Sequence, residues 1–359
     1  MTAIYRSRCP LTLQDLGWND FFQHNFEALN QVSAIPARVG RVEKISYSVH
    51  CGDAILQARL SGKLKRLSHD RSVLPVSGDW VAIEHRAESD DTFIHSVLPR
   101  KSAFTRKAPI SGGKKKGKIG GQDTLVGGKP EQQVIAANID FLFYVIGLDR
   151  GVNPRLIERV MTNYWDSGAT LVFLLNKIDL ITPAEIENAI EKLREVSLNT
   201  PIHAVSAEKN TGLDELNQYL ATGVTLSFIG NSGVGKSSLI NRLVGTDLLE
   251  TGAVRDVDKK GRHTTTWRDL IVLPQGGVLI DTPGLREMQI WSSEEEVGRT
   301  FEDIEALATQ CQFRNCSHKS EPGCAMLKAI QDNTLDIGRF SNYTRLYHDV
   351  RYLQRRRKG

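Results

Sequence analysis

Gly230-Asn231-Ser232-Gly233-Val234-Gly235-Lys236-Ser237-Ser238 is the stretch that decides the fold. It fits the pattern of a glycine, four residues, a second glycine, a lysine and a serine, which is typical of a phosphate-binding loop. Apolar residues 225–229 before it predict a strand, and the periodicity of residues 236–243 after it predicts a helix. A glycine-rich turn without a ligand is the alternative, but these flanking elements favour a loop that holds phosphate.

Each part of this loop has a chemical role in binding a nucleoside triphosphate. Its glycines allow successive backbone N–H groups to converge on phosphate oxygens, and the helix N-terminus adds a favourable dipole. We expect Lys236 to reach the outer phosphates and the Ser237 hydroxyl to ligate Mg²⁺.

Two downstream segments are expected to complete the magnesium and γ-phosphate site. Asp281-Thr282-Pro283-Gly284 follows a predicted strand at 277–280. There Asp281 can hold the water shell of Mg²⁺, and the Gly284 amide can meet the γ-phosphate. Between the two motifs lies Gly261-Arg262-His263-Thr264-Thr265-Thr266, where position favours Thr264 or Thr265 as the switch threonine that completes the magnesium sphere.

A second motif, Asn176-Lys177-Ile178-Asp179, is expected to contact the nucleobase. It ends a predicted strand at 170–175, and Ser206-Ala207 ends another at 202–205, both at carboxyl ends, where doubly wound sheets bind ligands. The Asp179 carboxylate can accept hydrogen bonds from guanine N1 and N2 together, and the Ala207 amide would then meet guanine O6. Adenine would leave that carboxylate unpaired at a cost, so GTP is favoured over ATP.

A polar helix start is the alternative reading of that second motif, and it is common by chance. Chance does not also supply a serine-alanine pair and a phosphate-binding loop at successive strand ends. In the usual GTPase order the phosphate-binding loop comes first, so this order predicts a circularly permuted domain, which a sheet tolerates when its original termini lie close together.

The residue that orients the hydrolytic water is not the usual one. Small GTPases place a glutamine directly after the Asp-x-x-Gly motif, and here Leu285 stands at that position. His263 is the best nearby candidate, with an RNA-facing or merely structural histidine as the alternative. Lys236 and Asp281 are the other residues expected to act in hydrolysis.

Around these motifs the sequence predicts three structured regions. Residues 133–290 alternate strands and helices in the manner of a parallel α/β sheet, with the following predicted elements: strand 139–146, helix 153–165, strand 170–175, helix 183–195, strand 202–205, helix 212–219, strand 225–229, helix 236–243 and the strand pair 270–273 and 277–280.

The N-terminal region has short alternating segments at 41–49, 54–60, 79–85 and 92–97. They predict a small five-stranded barrel, with a β-sandwich as the second choice. Residues 102–132 are rich in glycine and lysine, which predicts a mobile connection at a domain boundary.

Near the C-terminus, Cys311, Cys316, His318 and Cys324 supply three thiolates and one imidazole within a short span. This set matches a closed tetrahedral structural zinc site better than a catalytic one, and free reduced thiols rank third. Predicted helices at 294–310, 325–332 and 340–356 surround it, so a small domain held together by zinc is expected.

Composition and charge limit the function classes. The 359 residues are 40% hydrophobic and 25% charged, which is ordinary for a folded globular protein. The longest apolar stretch, 141–148, is too short to span a bilayer and no signal peptide is evident, so we expect a cytoplasmic protein. Basic runs at 100–118 and 355–358 predict contact with a polyanion such as RNA, with a solvated linker and tail as the alternative.

With these residues in place, the sequence resembles the RsgA (YjeQ) family of GTPases that depend on the small ribosomal subunit. The resemblance rests on the permuted motif order and the spacing of the zinc ligands, and it covers nearly the whole chain. It implies an OB-fold for the β-domain, and a late-acting assembly factor that binds the small subunit and its ribosomal RNA. It also implies faster GTP hydrolysis on the subunit and departure in the GDP state.

The predicted organisation has five parts: an N-terminal extension (1–36), an OB-fold RNA-binding domain (37–105), a basic linker (106–132), a circularly permuted P-loop GTPase domain (133–290) and a helical zinc-binding domain with a basic tail (291–359). We expect a monomer that binds Mg²⁺ with GTP and one structural Zn²⁺. Two alternatives remain: a permuted GTPase of large-subunit assembly, and a GTP-regulated RNA-binding protein with vestigial nucleotide binding.

Overall fold

The computed structural model describes residues 10–43, 45–67, 73–86, 88–107, 116–119, 122–125, 132–164, 167–197, 199–245, 270–280, 300–313, 316–318, 320–344 and 346–347. Along this part of the chain a closed barrel is followed by a mainly parallel sheet with helices on both faces, and then by a small helical unit. No helix within these ranges combines the length and the apolar character needed to cross a membrane.

A short helix, α1 (Asp20–Glu27), precedes the barrel, whose strands are Ile35–Val42 (β1), Tyr47–Cys51 (β2), Ala54–Leu60 (β3), Trp80–Arg86 (β4) and Asp91–Val97 (β5). The strand order is β1-β2-β3-β5-β4, closed by the pairing of β4 with β1. The β3–β5 pair is parallel and the other pairs are antiparallel. Helix α2 (Gly62–Arg66) follows β3 and is capped by the Ser61 side chain. The predicted five-stranded barrel is confirmed.

The predicted strand at 41–49 is wrong, because the chain turns in the middle of it. β1 ends at Val42 and β2 begins at Tyr47, and between them the Glu43 N–H donates to the Ser46 carbonyl over 2.9 Å. Ile45 continues the apolar alternation through the turn although its side chain is exposed. The sequence pattern alone therefore merged two strands into one.

The segment predicted as a mobile connection is paired at both of its ends. Ala103–Lys107 (β6) pairs antiparallel with Gln132–Ala137 (β9), and Lys116–Ile119 (β7) pairs with Gln122–Leu125 (β8). Phe104 is buried in a cluster with residues of the central sheet. This one large apolar side chain anchors the start of a segment whose glycine and lysine content predicted no packing; the stretches between the two pairs lie outside the described residues.

The central sheet confirms the predicted α/β architecture. Its elements are Phe141–Gly147 (β10), Pro154–Tyr164 (α3), Thr170–Asn176 (β11), Pro183–Arg194 (α4), Ile202–Val205 (β12), Thr225–Ile229 (β13), Lys236–Val244 (α5), Leu270–Val272 (β14) and Val278–Ile280 (β15). The order is β12-β11-β10-β13-β15-β14, with only β14 antiparallel to its neighbour among the described strands. The carboxyl ends of β10, β11, β12 and β13 therefore lie along one edge.

One predicted α-helix, at 212–219, is a 3₁₀ helix over Leu213–Tyr219. Its buried residues Leu213, Leu216 and Tyr219 are spaced three apart. A 3₁₀ helix has three residues per turn, so this spacing places all three side chains on one face.

The N-terminal extension packs between the barrel and the sheet. Leu16, Trp18 and Phe22 are buried against Trp80 of β4 and against residues of β14 and β15. A fully buried arginine, Arg38, joins the same three parts: it donates to Leu16 O, to Asn138 O over 3.0 Å and to Thr225 Oγ1 over 2.8 Å. Burial lowers the pKa of Arg38 to about 10, so these acceptors offset the desolvation of its charge.

The C-terminal unit contains helices α6 (Glu302–Ala308) and α7 (Ala325–Gln331), and residues 337–344 and 346–347 are also helical. Its core includes Phe301, Ile304, Met326 and Leu346, against which Cys311 and Cys316 pack. The small helical domain that was predicted around the cysteine cluster is therefore present.

Candidate nucleotide site and metal centre

The phosphate-binding loop, residues 230–238, connects β13 to α5 at the carboxyl edge of the sheet. Gly230 has φ +140°, and a Cβ added there would lie 2.4 Å from Val145 O; Gly235 has φ +94°, and its Cβ would lie 2.2 Å from Asn176 Nδ2. A side chain at either position would therefore meet the neighbouring strand as well as an unfavourable backbone conformation.

Lys236 is the first residue of α5 and is buried under the loop. Its Nζ donates to Gly230 O over 2.8 Å and to Asn231 O over 2.7 Å. These two bonds hold the ammonium inside the curve of the loop, where phosphate oxygens are expected. Ser237, the predicted magnesium ligand, follows in the first turn of the helix and is partly exposed.

The predicted base-contacting residues lie at the carboxyl ends of β11 and β12, on the same edge of the sheet as this loop. Asn176 ends β11, and its Nδ2 donates to Val234 O of the phosphate-binding loop over 2.8 Å. Its Oδ1 accepts from the Ala207 N–H over 3.1 Å. Asn176 thus ties together the phosphate-binding loop and residues 206–211, which we call the base loop.

The Asp179 carboxylate is exposed beside the base loop, as a group that binds guanine N1 and N2 must be. One of its oxygens, Oδ1, accepts from Ser206 Oγ over 2.5 Å, which orients the carboxylate. The Ala207 amide, expected to meet guanine O6, donates to Asn176 in this structure, so that contact stays a prediction.

Three residues at this edge were not singled out from the sequence. Asp149 and Arg150 follow β10: Asp149 Oδ2 pairs with Lys177 Nζ at 2.8 Å, and Arg150 donates to Ser232 O over 3.2 Å. Arg242, on α5, donates from Nε to Ala207 O over 2.8 Å. All three belong to segments without a motif, so only their position at strand ends and on a helix face could have suggested them.

Of the predicted base-contacting residues, Asn176 bonds directly to the phosphate-binding loop and Ala207 bonds to Asn176. Asp179 bonds to Ser206, and Lys177 pairs with Asp149. The remaining predicted residues lie outside the described part of the chain: His263, Thr264, Thr265, Asp281 and Gly284.

The cysteine cluster forms a second site, in the C-terminal unit. Cys311, Cys316, His318 and Cys324 place one ligand atom each within 4.8 Å of one another. Cys311 Sγ lies 4.0 Å from Cys324 Sγ, and His318 Nδ1 lies 3.6 Å and 3.5 Å from these two sulfurs. Sulfurs bound to one tetrahedral zinc at about 2.3 Å lie about 3.8 Å apart, so the geometry and the donor set both fit zinc.

The surroundings of two thiols in this cluster shift their pKa values in opposite directions. Burial raises the pKa of Cys311, but the backbone amides of Ala325 and Met326 donate to its sulfur and bring that pKa below its ordinary value. Burial raises the pKa of Cys316 to about 11. A bound cation would reverse that second effect, because it stabilises thiolate directly.

Known proteins are similar to this chain over most of its length. A family model described as RsgA GTPase matches residues 122–291. Relatives named small ribosomal subunit biogenesis GTPase RsgA include one from Opitutus terrae, 39% identical over 96% of this chain and 92% of its own length. Another, from Methanosarcina acetivorans, is 37% identical over 94% of this chain and 85% of its own length.

Two solved structures share the fold. YjeQ from Thermotoga maritima superposes with a TM-score of 0.59 at 24% identity, covering 88% of this chain and 98% of that one. YloQ, described as a circularly permuted GTPase, superposes with a TM-score of 0.56 at 22% identity, covering 89% of this chain and 95% of that one.

Proposed function

The chain belongs to the RsgA GTPase family and is a GTP-hydrolysing enzyme of small-subunit biogenesis, and from this premise we propose that it is a late-acting assembly factor. In this proposal it binds the small ribosomal subunit with GTP, hydrolyses GTP faster when bound, and leaves in the GDP state. It works as a monomer in the cytoplasm, where subunits are assembled.

The observation that carries the nucleotide assignment is the position of Asn176 between two loops. Its side chain donates to Val234 of the phosphate-binding loop and accepts from Ala207 of the base loop. The exposed Asp179 carboxylate stands beside them, oriented by Ser206. This arrangement supports recognition of guanine and phosphate by one rigid edge of the sheet.

Magnesium would be held by Ser237, by Asp281 through water, and by Thr264 or Thr265. The ion would neutralise charge on the β- and γ-phosphates as the bond between them breaks. Lys236, held inside the loop, would stabilise the same charge, and the Gly284 amide would contact the γ-phosphate. We assign the positioning of the attacking water to His263, because the side chain of Leu285 cannot hydrogen bond to water.

We propose that the Cys311, Cys316, His318 and Cys324 set binds one structural zinc. Close packing of the ligand atoms and their mutual distances support this assignment. The core of the C-terminal unit is small, so metal ligation would supply stability that apolar burial cannot.

The contact with the ribosome is assigned to the barrel, together with the basic residues near 100–118 and at 355–358. A closed five-stranded barrel with a parallel β3–β5 pair is the architecture in which OB-folds bind nucleic acid. A binding experiment tests whether the nucleotide controls this contact. Sedimentation with small subunits in the presence of a non-hydrolysable GTP analogue should retain the protein, GDP should release it, and equal recovery with both nucleotides would contradict nucleotide-controlled departure.

A further inference from the structure

The helix that follows the phosphate-binding loop also holds the base loop. Arg242 lies in the second turn of α5, six residues after the phosphate-binding Lys236. Its Nε donates to Ala207 O over 2.8 Å, and one terminal nitrogen donates to Glu208 O over 3.4 Å. One guanidinium therefore holds two successive carbonyls of the base loop.

Ala207 is held from both sides of its backbone. Its N–H donates to Asn176 Oδ1 over 3.1 Å and its carbonyl accepts from Arg242. Asn176 in turn donates to Val234 O in the phosphate-binding loop. The contacts form a closed circuit from the phosphate-binding loop through Asn176 and Ala207 to Arg242, and back along α5.

Hydrogen bonds within the base loop do not fix the position of that loop relative to α5. Ser206 N–H donates to Thr211 O over 2.9 Å, Thr211 N–H donates to Ser206 O over 3.1 Å, and Lys209 N–H donates to Ser206 Oγ over 3.0 Å. These bonds set the internal shape of the loop. They do not set its position relative to α5, which the bonds from Arg242 do.

We propose that Arg242 is a positioning residue for guanine recognition: by holding the Ala207 carbonyl, it places the Ala207 N–H where Asn176 Oδ1 and the 6-oxygen of the base can share it. The inference rests on the proposed function, since it requires a guanine nucleotide at this edge. Arg242 supports the Ala207 side of the base, whereas Asp179, held by Ser206, faces the 1- and 2-positions.

Because Arg242 supports only one side of the base, its effect on nucleotide binding can be distinguished from that of a residue that merely stabilises the domain. A nucleotide that keeps the 6-oxygen should depend on Arg242, and one that lacks it should not. Inosine diphosphate keeps the 6-oxygen and lacks the 2-amino group. The diphosphate of 2-aminopurine riboside keeps the 2-amino group but lacks both the 6-oxygen and the N1 proton, so its own affinity is the reference against which each variant is compared.

Equilibrium binding of GDP, inosine diphosphate and 2-aminopurine riboside diphosphate to the full chain tests the proposal. Arg242→Ala should weaken GDP and inosine diphosphate by the same factor, about tenfold for one or two lost hydrogen bonds. The same variant should change the affinity for the 2-aminopurine nucleotide by less than about twofold. Its kcat at saturating GTP should also stay within about twofold of the wild-type value. Arg242→Lys keeps one donor and should recover part of the loss.

The matched control is Arg194→Ala, which removes an exposed arginine from α4 of the same domain and should change none of these values. Unchanged GDP affinity in Arg242→Ala, or an equal loss for all three nucleotides, would overturn the proposal. If Arg242→Ala does not fold, the same comparison with Arg242→Lys decides. A wild-type protein that binds ADP as tightly as GDP would instead contradict the proposed guanine specificity itself.

Discussion

Glu158 of α3, which is buried, and Arg339 of the C-terminal unit, which is partly exposed, form an ion pair across 181 residues of sequence. The other Glu158 oxygen accepts from Asn342 Nδ2 over 2.7 Å, and Arg339 also binds Asp303 at 2.7 Å. Burial raises the pKa of Glu158, so the carboxylate relies on these partners to stay ionised. The C-terminal unit is thus docked on the helix that begins four residues after Arg150, which contacts the phosphate-binding loop.

Breaking this ion pair should loosen the C-terminal unit. Arg339→Met leaves the Glu158 charge buried without its cation, which costs about 3 kcal/mol or more. We expect the free energy of opening, measured by amide hydrogen exchange in α6, to fall by about that amount. Arg194→Met, at an exposed site on α4, serves as the control; the same loss there, or no loss in Arg339→Met, would argue against docking through this pair.

The nucleotide site is connected to the C-terminal unit in two ways. The permutation places the segment after Asp281 directly before the C-terminal unit in sequence. Helix α3 adds a second connection, since Asp149 and Arg150 contact Lys177 and Ser232 just before its start. We infer that both connections respond to the nucleotide, and identical hydrogen exchange in α6 with GDP and a GTP analogue would contradict this.

Zinc should be required for the C-terminal unit. Cys316→Ser removes one of four ligands, so zinc content should fall from one ion per chain towards zero and α6 and α7 should lose exchange protection. Cys51→Ser, in the barrel and outside the cluster, is the matched control and should keep its zinc. Elemental analysis of the purified variants checks both, and a full zinc complement in Cys316→Ser would exclude that thiol as a ligand.

Asp179 should determine the base. Asp179→Asn replaces an acceptor pair by an amide whose N–H₂ suits the 2-oxygen of xanthine. We expect GTP affinity to fall about 100-fold and xanthosine triphosphate to become the better substrate. Asp214→Asn, an exposed residue of the same domain, should leave the preference for GTP intact. Competition between the two nucleotides measures the preference. If Asp179→Asn still selected GTP, Asp179 would not be the residue that recognises the base.

His263 should act on the chemical step. Replacing it by alanine removes the group assigned to the attacking water, so stimulated kcat should fall about 100-fold with little change in KM. His24→Ala, exposed on α1, is the control. Single-turnover hydrolysis on small subunits checks the assignment, and a stimulated rate equal to wild type would remove His263 from the mechanism.

Features that depend on a few adjacent residues could be predicted from the sequence. The phosphate-binding loop needs glycines at fixed positions, the four proposed zinc ligands lie within 14 residues, and buried parallel strands appear as apolar runs. The strand at 202–205 and the start of the helix at Pro183 match the structure for this reason, the latter through a capping box between Thr182 and Glu185.

Contacts between distant segments could not be predicted in the same way. Arg38 looks like any strand arginine, yet it is fully buried where the N-terminal extension, the barrel and the sheet meet. Arg242 occupies an ordinary exposed helix position, and its partner Ala207 lies 35 residues earlier. Local pattern carries no information on which loop a flexible, charged side chain will reach.

The central claim, a GTPase whose activity depends on the small ribosomal subunit, is tested most directly by GTP turnover. Rates should be measured with purified small subunits, with large subunits and with bulk RNA. The Lys236→Ala variant, measured in parallel, gives the background rate from contaminating GTPases. We expect kcat to rise at least tenfold with small subunits and to stay near the basal rate with the other two. Equal stimulation by large subunits or bulk RNA, or none by small subunits, would contradict the account.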